Sequence, residues 1–289
     1  MLPEALLLHI QAELNASVVA VRPVTGGSIN QAAKLELSSG IRCFLKWNTT
    51  QSPDMFAKEA KGLGLLTNAD TDLIIPKVIT QGIAGNATGY LLQEFIEEGQ
   101  PGPYSAQQFG QELARLHKTE NDRFGLDHDN YIGSLPQSNT PHTDWISFFI
   151  EERIEPQLDR AISAGKLSSS IEIAFKNMYR LLPDIFPEEP PGLLHGDLWG
   201  GNYFYDAEGR PVIYDPAVYY GHREMELAFT RLFGGFSSAF YRSYNESHPL
   251  EPGFDERKDI YNLYPLLVHT NLFGGSYAQQ VEEIVKRFG

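Results

Sequence analysis

The chain has 289 residues, 42% of them hydrophobic and 21% charged, the balance of an ordinary soluble globular protein that can bury a sizeable core in one large domain or two lobes. With 23 Lys and Arg against 37 Asp and Glu the net charge is −14, which argues against nucleic acid or an anionic membrane as a partner. A single cysteine, Cys43, excludes an internal disulfide and a thiolate metal cluster, and points to a reducing, cytoplasmic compartment. The opening MLPEALLLHIQAEL spaces Leu2, Leu6, Ile10 and Leu14 as the apolar stripe of a helix, without the basic leader or cleavage site of a signal peptide.

Residues 17–24, 31–37 and 41–47 then read as three strands. The first two are separated by the glycine turn Thr25-Gly26-Gly27-Ser28-Ile29-Asn30, the last two by Ser38-Ser39-Gly40. Strand, glycine turn, strand is an arrangement that lays backbone amides over nucleotide phosphates, although a Gly-Gly pair alone fits a plain hairpin. In IRCFLKW, period-two alternation sets Cys43, Leu45 and Trp47 against Arg42, Phe44 and Lys46. A lysine in so apolar a strand is costly to bury alone. Its partner is expected on the helix opened by Ser52-Pro53, where Phe56, Glu59, Ala60 and Leu63 share one face. Two more strands, 74–82 and 90–95, complete a five-stranded region. The Gly/Pro run from Glu97 to Pro103 then marks a boundary, giving lobes of residues 1–96 and 97–289. In a kinase-like protein this strand end doubles as the hinge, where backbone groups of Glu94 and Ile96 would hydrogen-bond adenine.

From Ser105 the pattern is mostly helical. Ser105 with Gln108 forms a capping-box pattern, 144–165 a long helix bent by Pro156, with Trp145 a core aromatic, and 166–186 another helix. The stretch LLHGDLWGGNYFYDAEGRPVIYD carries the chemistry. Phosphoryl transfer needs a carboxylate near the attacking hydroxyl, and an amide oxygen and second carboxylate to hold magnesium. Asp197, Asn202 and Asp215 have those types, in the order and spacing of a kinase catalytic loop. Asp and Asn also populate turns for conformational reasons, but not in this register. Only 216–223 separate Asp215 from the next helix, too little for a peptide-binding activation segment, so the expected acceptor is a small molecule. Trp199, Tyr219, His222, Glu224, His269 and Asn271 cluster near or after this strand; a carboxylate for an ammonium and aromatic faces for a sugar ring make Glu224 and Trp199 acceptor candidates, with His222 and His269 beside them. His117 and His195, in apolar stretches, read as structural hydrogen-bonders.

These strings resemble the fructosamine kinase (ketosamine 3-kinase) family, relatives of aminoglycoside and choline kinases in the protein-kinase-like fold. The resemblance runs from GGSIN to LYPLLVHTNLFGGSY and is most specific in DWISFFIEERIEPQL and YDPAVYYGHREMELAF. It implies an α+β bilobal fold with a small antiparallel five-stranded N-lobe and a larger helical C-lobe. It also implies transfer of phosphate from ATP, with Mg2+, to the 3-hydroxyl of a ketosamine, free or on a glycated protein lysine. Asp197 would be the base, Asn202 and Asp215 the magnesium ligands, Lys46 and Glu59 the phosphate-binding pair, and Gly26, Gly27, Ser28 and Asn30 the loop over the phosphates. Where some relatives carry a cysteine through which they form redox-sensitive dimers, this chain has Ser28, so no such switch is expected, and the chain is read as a monomer or weak dimer. A kinase for an aminoglycoside, choline or another sugar, and a non-catalytic ATP-binding protein, remain as alternatives.

Overall fold

The computed structural model describes residues 2–24, 30–49, 52, 54–85 and 87–288. Five strands, β1 (Val18–Val24), β2 (Gln31–Leu37), β3 (Arg42–Asn48), β4 (Val78–Ala84) and β5 (Thr88–Glu94), form an antiparallel sheet in the order β1-β2-β3-β5-β4. Alternation gives it two faces. Ala33, Leu35, Cys43, Leu45, Trp47, Tyr90 and Leu92 point to one, sealed by Leu6 and Ile10 of α1 (Glu4–Leu14). Lys46, Leu91 and Gln93 share the other, on which α2 (Met55–Thr67) packs. Phe56, Leu63, Leu66 and Leu91 belong to the same apolar cluster as the large-lobe helices, so α2 is cored from both sides of the cleft.

The apolar run from Ile74 predicts strand from that point, but β4 begins only at Val78. Pro76 has no N–H to give a ladder. Ile74 instead bridges to the far lobe, its N–H donating to Pro211 O and its carbonyl accepting from Ile213 N–H, both at 3.0 Å.

The large lobe runs α3 (Ser105–His117), hairpin strands β6 (Asn130–Ile132) and β7 (Leu135–Gln137), α4 (Trp145–Phe148), α5 (Glu155–Ser163) and α6 (Ile171–Ile185). The helix expected over 144–165 widens into a π turn at Phe149–Ile154, directly ahead of Pro156, which cannot donate the helical bond and crowds the preceding turn. Ser105 does not cap: its hydroxyl accepts from Gly102 N–H at 2.8 Å and donates to the Gly209 carbonyl, tying the segment after the sheet to the turn before β10. Next come β8 (Gly192–Leu194), β9 (Tyr203–Tyr205), β10 (Pro211–Ile213) and β11 (Tyr219–Gly221), paired β8 with β11 and β9 with β10. The two ribbons hold the loops 195–202 and 214–218 between them. Five helices close the lobe: α7 (Arg223–Leu232), α8 (Ser238–Ser247), α9 (Phe254–Tyr261), α10 (Leu263–Phe273) and α11 (Ser276–Val285). Among the described residues no helix is long and apolar enough to cross a membrane.

Candidate active site

The turn at the end of β8 is set by Gly196. Its φ is +83°, and a Cβ there would run into the Ala217 carbonyl, so only glycine lets the two loops approach. His195 locks them together: Nε2–H donates to the Tyr214 carbonyl at 2.9 Å and Nδ1 accepts from Asp197 N–H at 3.2 Å. That pattern uses the neutral ring, and burial holds its pKa below the usual value.

Asn202 spends both amide hydrogens on Asp197, one on its carbonyl and one on Oδ2, each at 2.8 Å, which leaves the Asn202 oxygen turned elsewhere. Asp197 keeps some exposure, yet the protein packed around it pushes its carboxyl well above the usual range; the Asn202 bond opposes the shift and the charges of Asp215 and Glu226 add to it.

Across the cleft, Lys46 is 4% exposed and its ammonium contacts the carboxylates of both Glu59 and Asp215. Burial alone would lower its pKa, but Asp215 and Glu59 outweigh burial and hold it above the ordinary value. Glu59 is pushed up to about 7, by burial first and then by Asp215, against the pull of Lys46. Asp215 sits at φ +56°, a left-handed conformation unusual for a residue with a side chain and of the kind found at functional sites. The structure thus brings Lys46 and Glu59 of the small lobe to Asp215 of the large lobe, whose loop is locked to the one that carries Asp197 and Asn202.

Gly26, Gly27 and Ser28 lie outside the described residues. Asn30, the first described residue after them, accepts from Asn48 Nδ2 at 2.7 Å. At the end of β5 the Glu94 N–H is taken by the Lys77 carbonyl at 2.9 Å, whereas the peptide groups of Ile96 have no partner among the described residues.

On the acceptor side, Trp199 is 37% exposed and meets Phe233 with ring centroids 6.1 Å apart, and Phe233 packs on His269 at 4.8 Å. His269 Nδ1–H donates to the Pro265 carbonyl at 2.7 Å, so Nε2 carries the lone pair, and burial holds the ring neutral. His269 borders the same small cavity as Asp197, walled by Tyr219, Tyr264 and Val268. Asn271 is engaged with Gln157.

Two expected acceptor contacts are displaced. His222 is 1% exposed, stacked flat on Trp145 at 4.6 Å, with Nδ1 on the Tyr261 hydroxyl at 3.1 Å. Glu224 is fully buried and held by two nitrogens of Arg257. Neither borders the cavity beside Asp197: Glu224 leaves α7 on the side that meets Arg257 of α9, whereas Met225 and Glu226 of the same turn line the cavity. Trp145 is a core residue, as its spacing predicts.

The residue missed in the sequence is Glu226. Its buried carboxylate accepts from Gly196 N–H at 2.7 Å, His195 N–H at 3.2 Å and His117 Nε2–H at 2.8 Å, and His117 Nδ1 meets the Tyr244 hydroxyl at 2.8 Å. It is the anchor of the Asp197 loop. A larger surface pocket of about 390 Å3, between α7, α8 and α9, includes none of the predicted site residues.

The model of one known family, described as fructosamine kinase, matches residues 4–288. A Synechocystis protein assigned as a ketoamine kinase is 41% identical over 92% of this chain and 89% of its own. The chloroplastic protein-ribulosamine 3-kinase of Oryza sativa subsp. indica is 38% identical over 93% of this chain and 78% of its own. Among solved structures, a Thermobifida fusca protein assigned as a fructosamine-3-kinase superposes with a TM-score of 0.87 at 32% identity, covering 98% of this chain and 97% of that one. Aminoglycoside phosphotransferase APH(4)-Ia, at 16% identity and a TM-score of 0.67 over 99% of both chains, shares the bilobal protein-kinase-like fold. With a family match spanning nearly its whole length and relatives near 40% identity, the chain belongs to the fructosamine kinase family.

Proposed function

We propose that this chain is an ATP-dependent kinase that phosphorylates the 3-hydroxyl of a ketosamine, of the ribulosamine or erythrulosamine type and free or on a glycated protein lysine, and so takes part in deglycation. The observation that carries the reading is the meeting of Lys46 and Glu59 from the small lobe with Asp215, on the large-lobe wall that also holds the Asp197–Asn202 pair. The family's ketoamine and ribulosamine kinases support the choice of acceptor.

In this reading Lys46, held charged by its two carboxylates, fixes the nucleotide α and β phosphates. Asp197 orients the acceptor hydroxyl and takes its proton as the new bond to phosphorus forms. Burial, by raising the proton affinity of this carboxylate, strengthens it as the acceptor of that proton. The free Asn202 oxygen and the Asp215 carboxylate fit a hard, oxygen-seeking cation, so these two would hold magnesium, which when bound neutralises phosphate charge. Trp199 and the Nε2 lone pair of His269 would face the sugar and its ammonium. Residues 26–30 would cover the phosphates, and the peptide groups of Ile96 would receive the adenine. We place the lobe division at 96/97 and the protein in the cytoplasm as a monomer or weak dimer.

An acceptor screen with ribulosamine, erythrulosamine and fructosamine derivatives of lysine and of whole protein, read as ATP-dependent phosphate incorporation, tests the assignment. Asp197→Asn is expected to lower kcat by about 100-fold or more with nucleotide affinity kept, the usual scale for a lost general base. Wild-type rates in that variant would refute the role.

A further inference from the structure

A run of aromatic rings leads from the neighbourhood of Asp197 out to solvent. Trp199, two residues beyond Asp197, lies over Gly201, where a Cβ would overlap its indole. Phe233, just past α7, meets that indole edge-on and packs on His269, which borders the cavity beside Asp197. His269 in turn contacts Tyr277 at 5.1 Å and Phe273 at 5.6 Å. Phe273, the last residue of α10, is 54% exposed and lies outside the apolar core of the lobe. Gly274 and Gly275 follow it, both at φ +68° with ψ −147° and −138°, a backbone region that residues with a side chain rarely enter. Neither glycine has a neighbour within 4 Å of where a Cβ would stand, so the need for glycine comes from the turn itself. That turn starts α11 and brings Tyr277 back beside Phe273. Single exposed apolar side chains are ordinary, but rings in unbroken contact from a reactive group to solvent make a continuous surface.

Resting on the ketosamine-kinase reading, we infer that Phe233, Phe273 and Tyr277 form a subsite for the organic group on the ketosamine nitrogen, and that the group it takes is apolar. A ketosamine joins its sugar to that group through one nitrogen. With the 3-hydroxyl at Asp197 and the ammonium near Trp199 and His269, the group beyond the nitrogen leaves along the rings. An aromatic or aliphatic group laid there takes its own apolar surface and that of Phe273 out of water together. A charged group in the same place would lose hydration without gaining a partner, since the rings of the ledge carry no charge.

Steady-state kinetics with the ribulosamines of methylamine and of benzylamine, at saturating ATP and magnesium, test this on the unmodified chain. The benzyl compound is expected to show a KM about tenfold lower at similar kcat, the scale of taking about half a phenyl group out of water. Phe273→Ser should raise the KM of the benzyl compound about threefold or more and leave the methyl compound unchanged, because the exposed ring supports no core. Phe273→Leu, which keeps an apolar face, should retain most of the benzyl advantage. Equal KM values for the two compounds in the wild type, an advantage that survives Phe273→Ser undiminished, or a loss shared equally by both compounds would overturn the assignment. Calorimetric titration with the same pair reads the ratio by binding alone. Absence of turnover would then count against the kinase reading, and equal affinities against the subsite, as separate results.

Discussion

Glu224 and Glu226 stand two residues apart on α7 and do unrelated things. Successive helical positions are about 100° apart, so these two carboxylates leave the helix on nearly opposite sides. One meets Arg257, the other reaches under the Asp197 loop. Glu224→Gln removes the charge partner of a buried guanidinium, and should cost about 3–5 kcal/mol of stability, measured by denaturant titration, with the acceptor KM unchanged. A raised KM at unchanged stability would return Glu224 to the acceptor pocket. Glu226→Gln puts an amide donor against N–H donors that all need an acceptor. The expected result is a kcat lowered about tenfold or more, with the KM for ATP little altered, because the loop carrying Asp197 loses an anchor worth about 1–3 kcal/mol. Unchanged kcat would show that the loop holds itself.

The elements were largely legible where a local pattern decides them, and less so where docking does. Lys46 and Glu59 came from strand parity and helical spacing, and both end on the cleft face. Asp197, Asn202 and Asp215 lie within one short segment, so their register is visible without tertiary information. Which side of α7 faces the cleft is a property of how that helix docks, and no spacing within it says whether Glu224 or Glu226 points inward. The run from Ile74 looked like strand because its residues suit strand; its partner, β10, is far away in sequence. Close approach between helices was equally hidden. At Gly110 in α3 a Cβ would overlap the Phe240 carbonyl and the Ser243 hydroxyl of α8, while at Gly64 in α2 it would meet nothing within 4 Å. Two glycines in helices should therefore respond in opposite senses to alanine. Gly64→Ala is expected to raise stability by about 0.5–1 kcal/mol through helix propensity. Gly110→Ala is expected to lower it by about 1–3 kcal/mol by forcing the helices apart. It should lower kcat as well, since α3 ends in His117, which holds Glu226. Thermal melts and initial rates on the pair of variants measure both effects.

At the scale of the whole molecule, the dependence of stability on acid follows from histidines kept neutral inside it. Burial holds His222 down to about 3 and His248 down to about 4, with neighbouring arginines adding to the shift, and lowers His195 and His269 as well. An unfolded histidine titrates near 6.5. Above that pH neither state binds the proton and the contribution to stability is complete. Below it the unfolded chain takes protons that the folded one refuses, so stability falls as pH drops from about 6.5 toward 3–4. His222, the most enclosed of those with a wide window, adds up to about 1.4 kcal/mol per pH unit within it. Glu59, raised to about 7, and Asp197, also raised, bind protons in the folded state first and work in the opposite direction, so the wild-type slope is a net of opposing contributions. His222→Phe isolates one component. It keeps a flat ring on Trp145 but removes the hydrogen bond between Nδ1 and the Tyr261 hydroxyl, so at pH 8 the variant should be less stable by about 1 kcal/mol. Toward pH 5.5 its stability should fall less steeply than that of the wild type, and the two denaturation curves should draw together. Urea titrations at several pH values decide it: parallel dependences would mean that His222 takes up its proton in the folded chain, which the stacked, enclosed ring between Trp145 and Tyr261 does not allow.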